Sequence, residues 1–402
     1  MLGSGALRSL LPPGVWIVLK DRYRIGLLPE IALAFLRMGL IAFGGPAAHL
    51  ALLEDEFVSR RGWLSRQRFL DLMGATNLIP GPNSTEMTMH IGYERGGALG
   101  LLVAGASFVL PAALLTGVLA WCYVEFGALP AAAPVLQGIR PAILVVILGA
   151  IWKLGRKAVT DWRLGAIAAG VAGLVWLGIG EVPALVVGGV VGMLCLRVPH
   201  LLTLAVGFLA LLCIPARTLL AAGAEQADLT KLGLFFLKVG SVLYGSGYVL
   251  IAFLEGGLID DYGWVTRQQL LDAVAAGQFT PGPVLTTATF LGFLIGGPAG
   301  AAMATIGIFL PAFVFAWVLN PLVRRLRQSP TSAAFLNAVN ASAVGLMAVV
   351  AVDLGRAALA SGFALAVALA AAVALFVGRW PAAWVVIAAA ALGWASMTFG
   401  WY

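Results

Sequence analysis

Charge is what this sequence has least of: charged side chains make up 11% of its 402 residues, against 61% hydrophobic. A soluble domain carries about a quarter, so water is not the solvent for most of this surface. Histidine is also scarce, at three. Neither an HExxH nor a GxSxG pattern nor a pair of histidines appears, and an enzyme needs a nucleophile with its base, or a metal cluster, inside a cavity. An intramembrane enzyme is therefore disfavoured. The three cysteines, Cys122, Cys195 and Cys213, stand singly in apolar runs without CxxC or histidine spacing, which reads as packing and not as redox or metal chemistry. No metal and no cofactor is implied. The net charge is +7, but no basic stripe is interleaved with aromatics, so nucleic acid is not the expected partner. In a membrane chain such an excess belongs to cytoplasmic loops. No cleavable leader is expected either. Leu10 to Leu19 is apolar but holds Pro12 and Pro13, runs straight into Lys20, Asp21, Arg22 and Arg24, and offers no small-residue cleavage site.

What is present is a series of long apolar stretches, near 31–53, 98–122, 138–154, 164–179 and 182–196, and again near 232–254, 299–320, 333–352, 357–377 and 382–398. Most approach the 17–25 residues or so that a spanning helix needs. The two sets of five are alike residue by residue. Phe35-Leu36-Arg37 matches Phe236-Leu237-Lys238, Glu54 matches Glu255, Gly62-Trp63 matches Gly263-Trp264, Asp71 matches Asp272 and Pro80-Gly81-Pro82 matches Pro281-Gly282-Pro283, all at one offset. One residue is then lost, after which Gly96-Gly97 matches Gly296-Gly297, Pro111-Ala112 matches Pro311-Ala312 and Leu154-Gly155-Arg156 matches Leu354-Gly355-Arg356. The expected organisation is a tail (1–30), a first repeat (31–198), a connector (199–231) and a second repeat (232–402).

Repeats with an odd number of spans face opposite ways, as in many secondary transporters. If the 54–68 loop with Arg60, Arg61, Arg66 and Arg68 is cytoplasmic, then Lys153, Arg156, Lys157 and Arg163, then Arg197, Arg217 and Lys231, and then Arg324, Arg325 and Arg327 fall inside as well. The opposite loops keep only Arg267 and Arg356. This assignment requires that 200–215 not cross the membrane. It also places the tail, with Arg8, Lys20, Arg22 and Arg24, outside against the charge rule, so absolute orientation stays open.

The chemistry concentrates where each repeat is broken. Phe69 to Gly97 and Leu270 to Gly297 are apolar enough for membrane depth, yet Pro-Gly-Pro at the centre removes two backbone donors and forbids a continuous helix. Two half-helices joined by a bend result, and such backbone survives at that depth only when buried in protein or lining a wet cavity. After each bend come Asn83-Ser84-Thr85-Glu86 and Val284-Leu285-Thr286-Thr287. A half-helix start there offers free N–H groups, a positive dipole end and hydroxyl donors to an anion. A single such motif reads as a packing kink, but two in register favour a site. A second break lies in the first stretch of each repeat, at Phe43-Gly44-Gly45-Pro46 and Tyr244-Gly245-Ser246-Gly247, where missing side chains serve either ligand approach or tight packing. Arg37 and Lys238 precede these breaks, either to attract a dianion or to snorkel to a surface. His49 and His90 have leucines at the matching positions, and with Glu54, Glu86 and Glu255 they are the coupling candidates. Pairing of Glu54 and Glu255 with Arg66 and Arg267 is the plainer alternative.

Phe43-Gly44-Gly45-Pro46-Ala47-Ala48-His49, then Glu54 to Trp63, Pro80 to Glu86 and Ile91-Gly92-Tyr93 resemble the signature of the chromate ion transporter family. Phe279 to Pro283, Thr286-Thr287-Ala288 and Ile308 to Pro311 are similar to that family's C-terminal repeat. The resemblance spans nearly the whole chain and implies a two-domain exporter of chromate that confers resistance to it. The fold expected is all-α and polytopic: two inverted repeats of about five transmembrane helices, with broken or re-entrant half-helices at the Pro-Gly-Pro motifs, in a bacterial inner membrane. The partners expected are the lipid bilayer and a tetrahedral oxyanion held between the bends, with a homodimer left open. Chromate and sulfate share charge and shape, so a proton-coupled sulfate permease on the same scaffold is the competing reading.

Overall fold

The structure, a computed structural model, describes residues 26–43, 46–76, 80–127, 132–197, 228–244, 247–319 and 330–399. Among them every regular element is helical. Gly44, Gly45, Gly245 and Ser246, most of the tail and residues 199–227 of the connector lie outside the described residues. The first repeat holds α1 (Leu28–Ile41), α2 (Pro46–Glu54, prolonged by a π turn, Asp55–Arg60), α3 (Arg66–Thr76), the run Asn83–Phe126, α6 (Ala132–Ala158), α7 (Trp162–Trp176) and α8 (Glu181–Arg197).

The run Asn83–Phe126 is not one rod. Gly97, at φ 67°, reverses the chain, a conformation that glycine adopts without a Cβ penalty. A Cβ on Gly92 would strike Ala104 and the carbonyl of Gly100, although eight residues along a straight helix span about 12 Å. The run is therefore a hairpin of α4 (83–96) and α5 (98–126). The second repeat repeats the series: α9 (Leu229–Val242), α10 (Leu250–Leu254, prolonged by Glu255–Asp261), α11 (Arg267–Phe279), a 3-10 turn (Val284–Thr286), and a run bent at Gly297 into α12 (287–295) and α13 (298–319). Across that bend the Thr289 and Thr305 hydroxyls lie 2.8 Å apart. Then follow α14 (Pro330–Ala358), α15 (Gly362–Ala372, prolonged by Val373–Val377) and α16 (Ala382–Phe399). Matching caps start α7 and α15, where Asp161 accepts from the Leu164 N–H and Ser361 from the Ala364 N–H.

The first apolar stretch, expected to span at 31–53, instead folds back. Phe35 stacks on Phe57 at 4.6 Å, and Arg61 lies 3.9 Å from Glu30. The α1 helix has 14 residues, about 21 Å, short of a hydrocarbon core of about 30 Å. The α3–α4 pair also returns to its origin, since Arg68 pairs with Glu94 and Arg95 with Glu30 at 3.1 Å. Each repeat thus opens with two helical hairpins whose bases share one face and whose tips point inward. Four further helices follow in each repeat, α5 to α8 and α13 to α16, of which α5, α6, α13 and α14 are long and apolar enough to cross a membrane.

Helix α5 carries the chain about 43 Å from the first repeat's hairpin bases, and near its end Tyr123 touches Asp272, close to the base of the second repeat's hairpins. Glu181, which opens α8 at that same end, lies against Gly256. The two sets of bases therefore sit at opposite ends of the molecule, as an inverted arrangement requires. The repeats interlock reciprocally, α6 on α16 and α14 on α8. Two expectations change. The chain enters α1 from the arginine-rich face, that of Arg60, Arg61, Arg66, Arg68, Arg95, Arg156, Lys157 and Arg163, because the first stretch does not cross. It leaves α8 on that face and begins α9 on the other, which removes the reason for keeping 200–215 out of the membrane; those residues lie outside the described set. Lys231, grouped above with the arginine-rich face, sits on the opposite one, lining a small cavity with Glu181 and Asp261.

This topology makes a direct prediction. In a background without Cys122, Cys195 and Cys213, cysteines replacing the exposed, repeat-matched Gln67 and Gln268 should react with an impermeant thiol reagent from opposite sides of the membrane. Labelling of both from one side would refute inversion.

Candidate functional site

The four hairpin tips meet at the centre of the molecule, and the meeting is reciprocal. The Gly81 N–H donates to the Leu243 carbonyl at 2.7 Å and the Gly282 N–H to the Ala42 carbonyl at 2.8 Å. Positions 81 and 282, like 42 and 243, are equivalent in the two repeats. Because the flanking prolines have no N–H, each Pro-Gly-Pro bend commits its single donor to the last turn of the other repeat's first helix. Both glycines have positive φ, 141° and 99°. Gly81 lies 3.3 Å, measured from an ideal Cβ, from Ala312, and Gly282 lies 2.7 Å from Ala112 in the same sense. The tips thus rest against the midpoints of α13 and α5, next to Pro311 and Pro111.

Around this crossing, helical segments end at 41, 76, 242 and 279, and others begin at 46, 83, 247 and 284. Opposed half-helix ends supply positive N-termini for an anion and carbonyl ends for a cation or proton. The polar side chains are distributed unequally. In the first repeat His49, buried, donates from Nε2 to the Ala42 carbonyl at 3.0 Å, leaving Nδ1 to accept from the Ser84 hydroxyl at 3.3 Å. Ala42 therefore accepts from both repeats. Thr85 is fully buried and its hydroxyl has no hydrogen-bond partner. Glu86 is 0% exposed, neither carboxyl oxygen has a hydrogen-bond partner, and Oε1 lies beneath Gly81. In the second repeat the matching positions are Leu250, Leu285, Thr286 and Thr287; both threonines donate to local carbonyls, those of Pro283 and Val284. Pro80, Pro82, Pro281 and Pro283 close the bends, and Asn83 is half-buried beside them.

Other candidates sit elsewhere. Arg37 and Lys238 are exposed on the outer sides of α1 and α9; Lys238 lines the small cavity beside Glu181 and Asp261. His90 is buried in α4, away from the bend. Glu54 pairs with Arg66 at 3.2 Å and Glu255 with Arg267 at 2.7 Å, equivalent pairs at the hairpin bases. Burial pushes the Glu255 carboxyl up to about 7 against the pull of Arg267, whereas the neighbouring base carboxyl Glu56 is held below its usual range chiefly by the hydrogen bond from Arg61. Among the described residues no group of three His, Cys, Asp or Glu is placed to hold a metal.

Sequence reasoning missed one cluster. Arg140, in α6, donates to Asp272 through Nε and a terminal nitrogen at 2.9 and 2.8 Å, and Tyr123 donates to the same carboxylate at 2.9 Å. The signal was available, since an arginine inside an apolar helix is a functional candidate by default.

Comparison with known proteins gives the same two-fold division. A family model described as Chromate transporter matches residues 29–193 and again 230–394. A chromate transport protein of Pseudomonas aeruginosa is 33% identical over 390 residues, covering 91% of this chain and 92% of the relative. One from Cupriavidus metallidurans is 30% identical over 321 residues, 79% and 80% of the two chains. An uncharacterized transporter of Bacillus subtilis, 30% identical over 142 residues, covers 35% of this chain but 80% of its own length. No solved structure matches the chain.

Proposed function

Since the chain belongs to the chromate transporter family, we propose that it carries chromate outward across a bacterial inner membrane, as a secondary transporter whose oxyanion site is the crossing of the two Pro-Gly-Pro bends. The reciprocal bonding of Gly81 to Leu243 and of Gly282 to Ala42 carries this reading. It ties both repeats to one central site, so rearrangement on one side of the anion is felt on the other. The half-helix starts at Asn83 and Val284 supply the positive ends, and the unpartnered Thr85 hydroxyl a nearby donor. Arg37 and Lys238, being exposed, supply no contact there. Membrane potential alone favours export. A charge gains about 2.3 kcal/mol per 100 mV, so an outgoing dianion gains about 4.6 kcal/mol, a gradient of roughly a thousandfold.

The competing reading, proton-coupled movement of sulfate or a related oxyanion, is favoured by one observation, the unpartnered carboxyl of Glu86 beneath Gly81. A dianion and a carboxylate exclude each other at close range, so a proton on Glu86 would travel with the anion. Proteoliposomes separate the two. With a potassium-diffusion potential and no pH gradient, chromate should move toward the positive side, sulfate should compete, and Glu86→Gln should leave that flux standing. Flux that requires an imposed pH gradient, and loses the requirement in Glu86→Gln, would overturn potential-driven export in favour of proton coupling.

A further inference from the structure

Beyond Ala112, α5 carries a line of polar contacts that the repeat itself does not demand. Thr116 donates to the Thr280 hydroxyl at 3.3 Å and Tyr123 to Asp272 at 2.9 Å; residues 112, 116 and 123 share one helix face. Arg140 closes the outer end of this line on Asp272, whose side chain is 1% exposed, while that of Arg140 is 18% exposed. A guanidinium has five N–H donors, and two of Arg140's serve Asp272. The same arginine lines a cavity of about 940 Å³ together with the amides of Gln137 and Gln268. At the equivalent end of the molecule Asp71 accepts from Gln67 at 3.4 Å, and the positions matching Arg140 and Tyr123 are Asn340 and Val323. Neither the arginine nor the tyrosine is repeated at the matching position.

We propose that Arg140 is an outer oxyanion subsite controlled by Asp272. An anion arriving in the cavity competes with the carboxylate for the guanidinium fork, because both present the same oxygen geometry. When the anion wins, Asp272 loses its bidentate partner and keeps only the Tyr123 hydroxyl, and the contact of α6 with α11 loosens at the outer end of the line that leads through Thr116 and Thr280 to the crossing. The inference rests on the reading that an oxyanion is carried, and adds a second place where it is held, at the end of the molecule opposite the arginine-rich face.

Equilibrium binding of sulfate and of chromate to the purified full-length protein tests it. Asp272→Asn should bind about tenfold more tightly, since removal of one charged competitor is worth about that factor, and Arg140→Gln should lose about as much, with Arg140→Lys between. Gly282→Leu, altered only at the crossing, should keep the outer affinity. Gln137→Leu breaks no ion pair and carries the test should Arg140→Gln fail to fold; it should weaken binding severalfold. Unchanged affinity in Asp272→Asn and in Gln137→Leu would overturn the subsite, as would loss of all binding in Gly282→Leu with Arg140→Gln unaffected, and both results would leave the transport reading standing. Failure of the unaltered protein to bind either anion would overturn the two together.

Discussion

Gly282→Leu should abolish chromate movement in proteoliposomes, a fall of at least about a hundredfold, or about 2.7 kcal/mol in the transport barrier. Two costs combine at this position. At φ 99° a side chain is strained by about 1–3 kcal/mol. The first added carbon would already lie 2.7 Å from the Ala112 Cβ, and the bend or α5 would have to shift to admit it. Gly81→Leu should be similarly severe, because its side chain would collide with the Glu86 carboxyl and with Ala312. Strain alone does not explain such a loss, and Gly263→Leu isolates it: φ is 63° there, but an added Cβ meets nothing within 4 Å. That variant should be less stable and still transport. Retention of transport by inserted Gly282→Leu would show that the bend does not line the path.

Arg140→Leu should be the most destabilising single change at the interface between repeats, costing about 3–5 kcal/mol because Asp272, with its side chain 1% exposed, is left as a buried, unpaired charge. Asp272→Leu leaves Arg140 without its carboxylate but facing the cavity, and should cost less. The double variant should regain most of the loss, since apolar side chains of similar volume replace a buried ion pair at little net cost. Thermal unfolding in detergent, followed by tryptophan fluorescence, measures all three. Additive losses in the double variant would mean that the two side chains are not coupled, contrary to the bidentate contact.

The repeat and its internal landmarks were legible because they are matters of spacing: a constant offset from Phe35 to Pro82, one lost residue, and the same offset less one thereafter. The bends were legible because Pro-Gly-Pro cannot continue a helix in any context. The return of α2 beside α1 was not, since hydropathy measures how apolar a segment is and carries no direction; the stacking of Phe35 on Phe57 is a contact between residues on either side of the break. For the same reason the first stretch counted as a crossing, and Lys231 was grouped with the arginine-rich face. Glycines at 92 and 100 were visible as glycines, but only the hairpin shows why no side chain fits there. Within the site, Ser84 and His49 were singled out separately, and the hydrogen bond that joins them through Ala42 to the second repeat depends on tertiary packing. Arg140 escaped because its matching position holds Asn340, so a reading guided by repeated motifs passed over it.

The exchange of donors between Gly81 and Leu243, and between Gly282 and Ala42, has a consequence for the chain cut in two. Either half alone would end its bend on a glycine N–H facing nothing and would leave a helix-end carbonyl equally bereft, at membrane depth where no water can replace the missing partner. Severed within the connector, the protein should be rebuilt only when both pieces are made in the same cell in comparable amounts and inserted in opposed orientations. One half in excess should then be left to quality-control proteases. A gene for a single repeat would face the same requirement from birth, and would need a complementary chain threaded the other way.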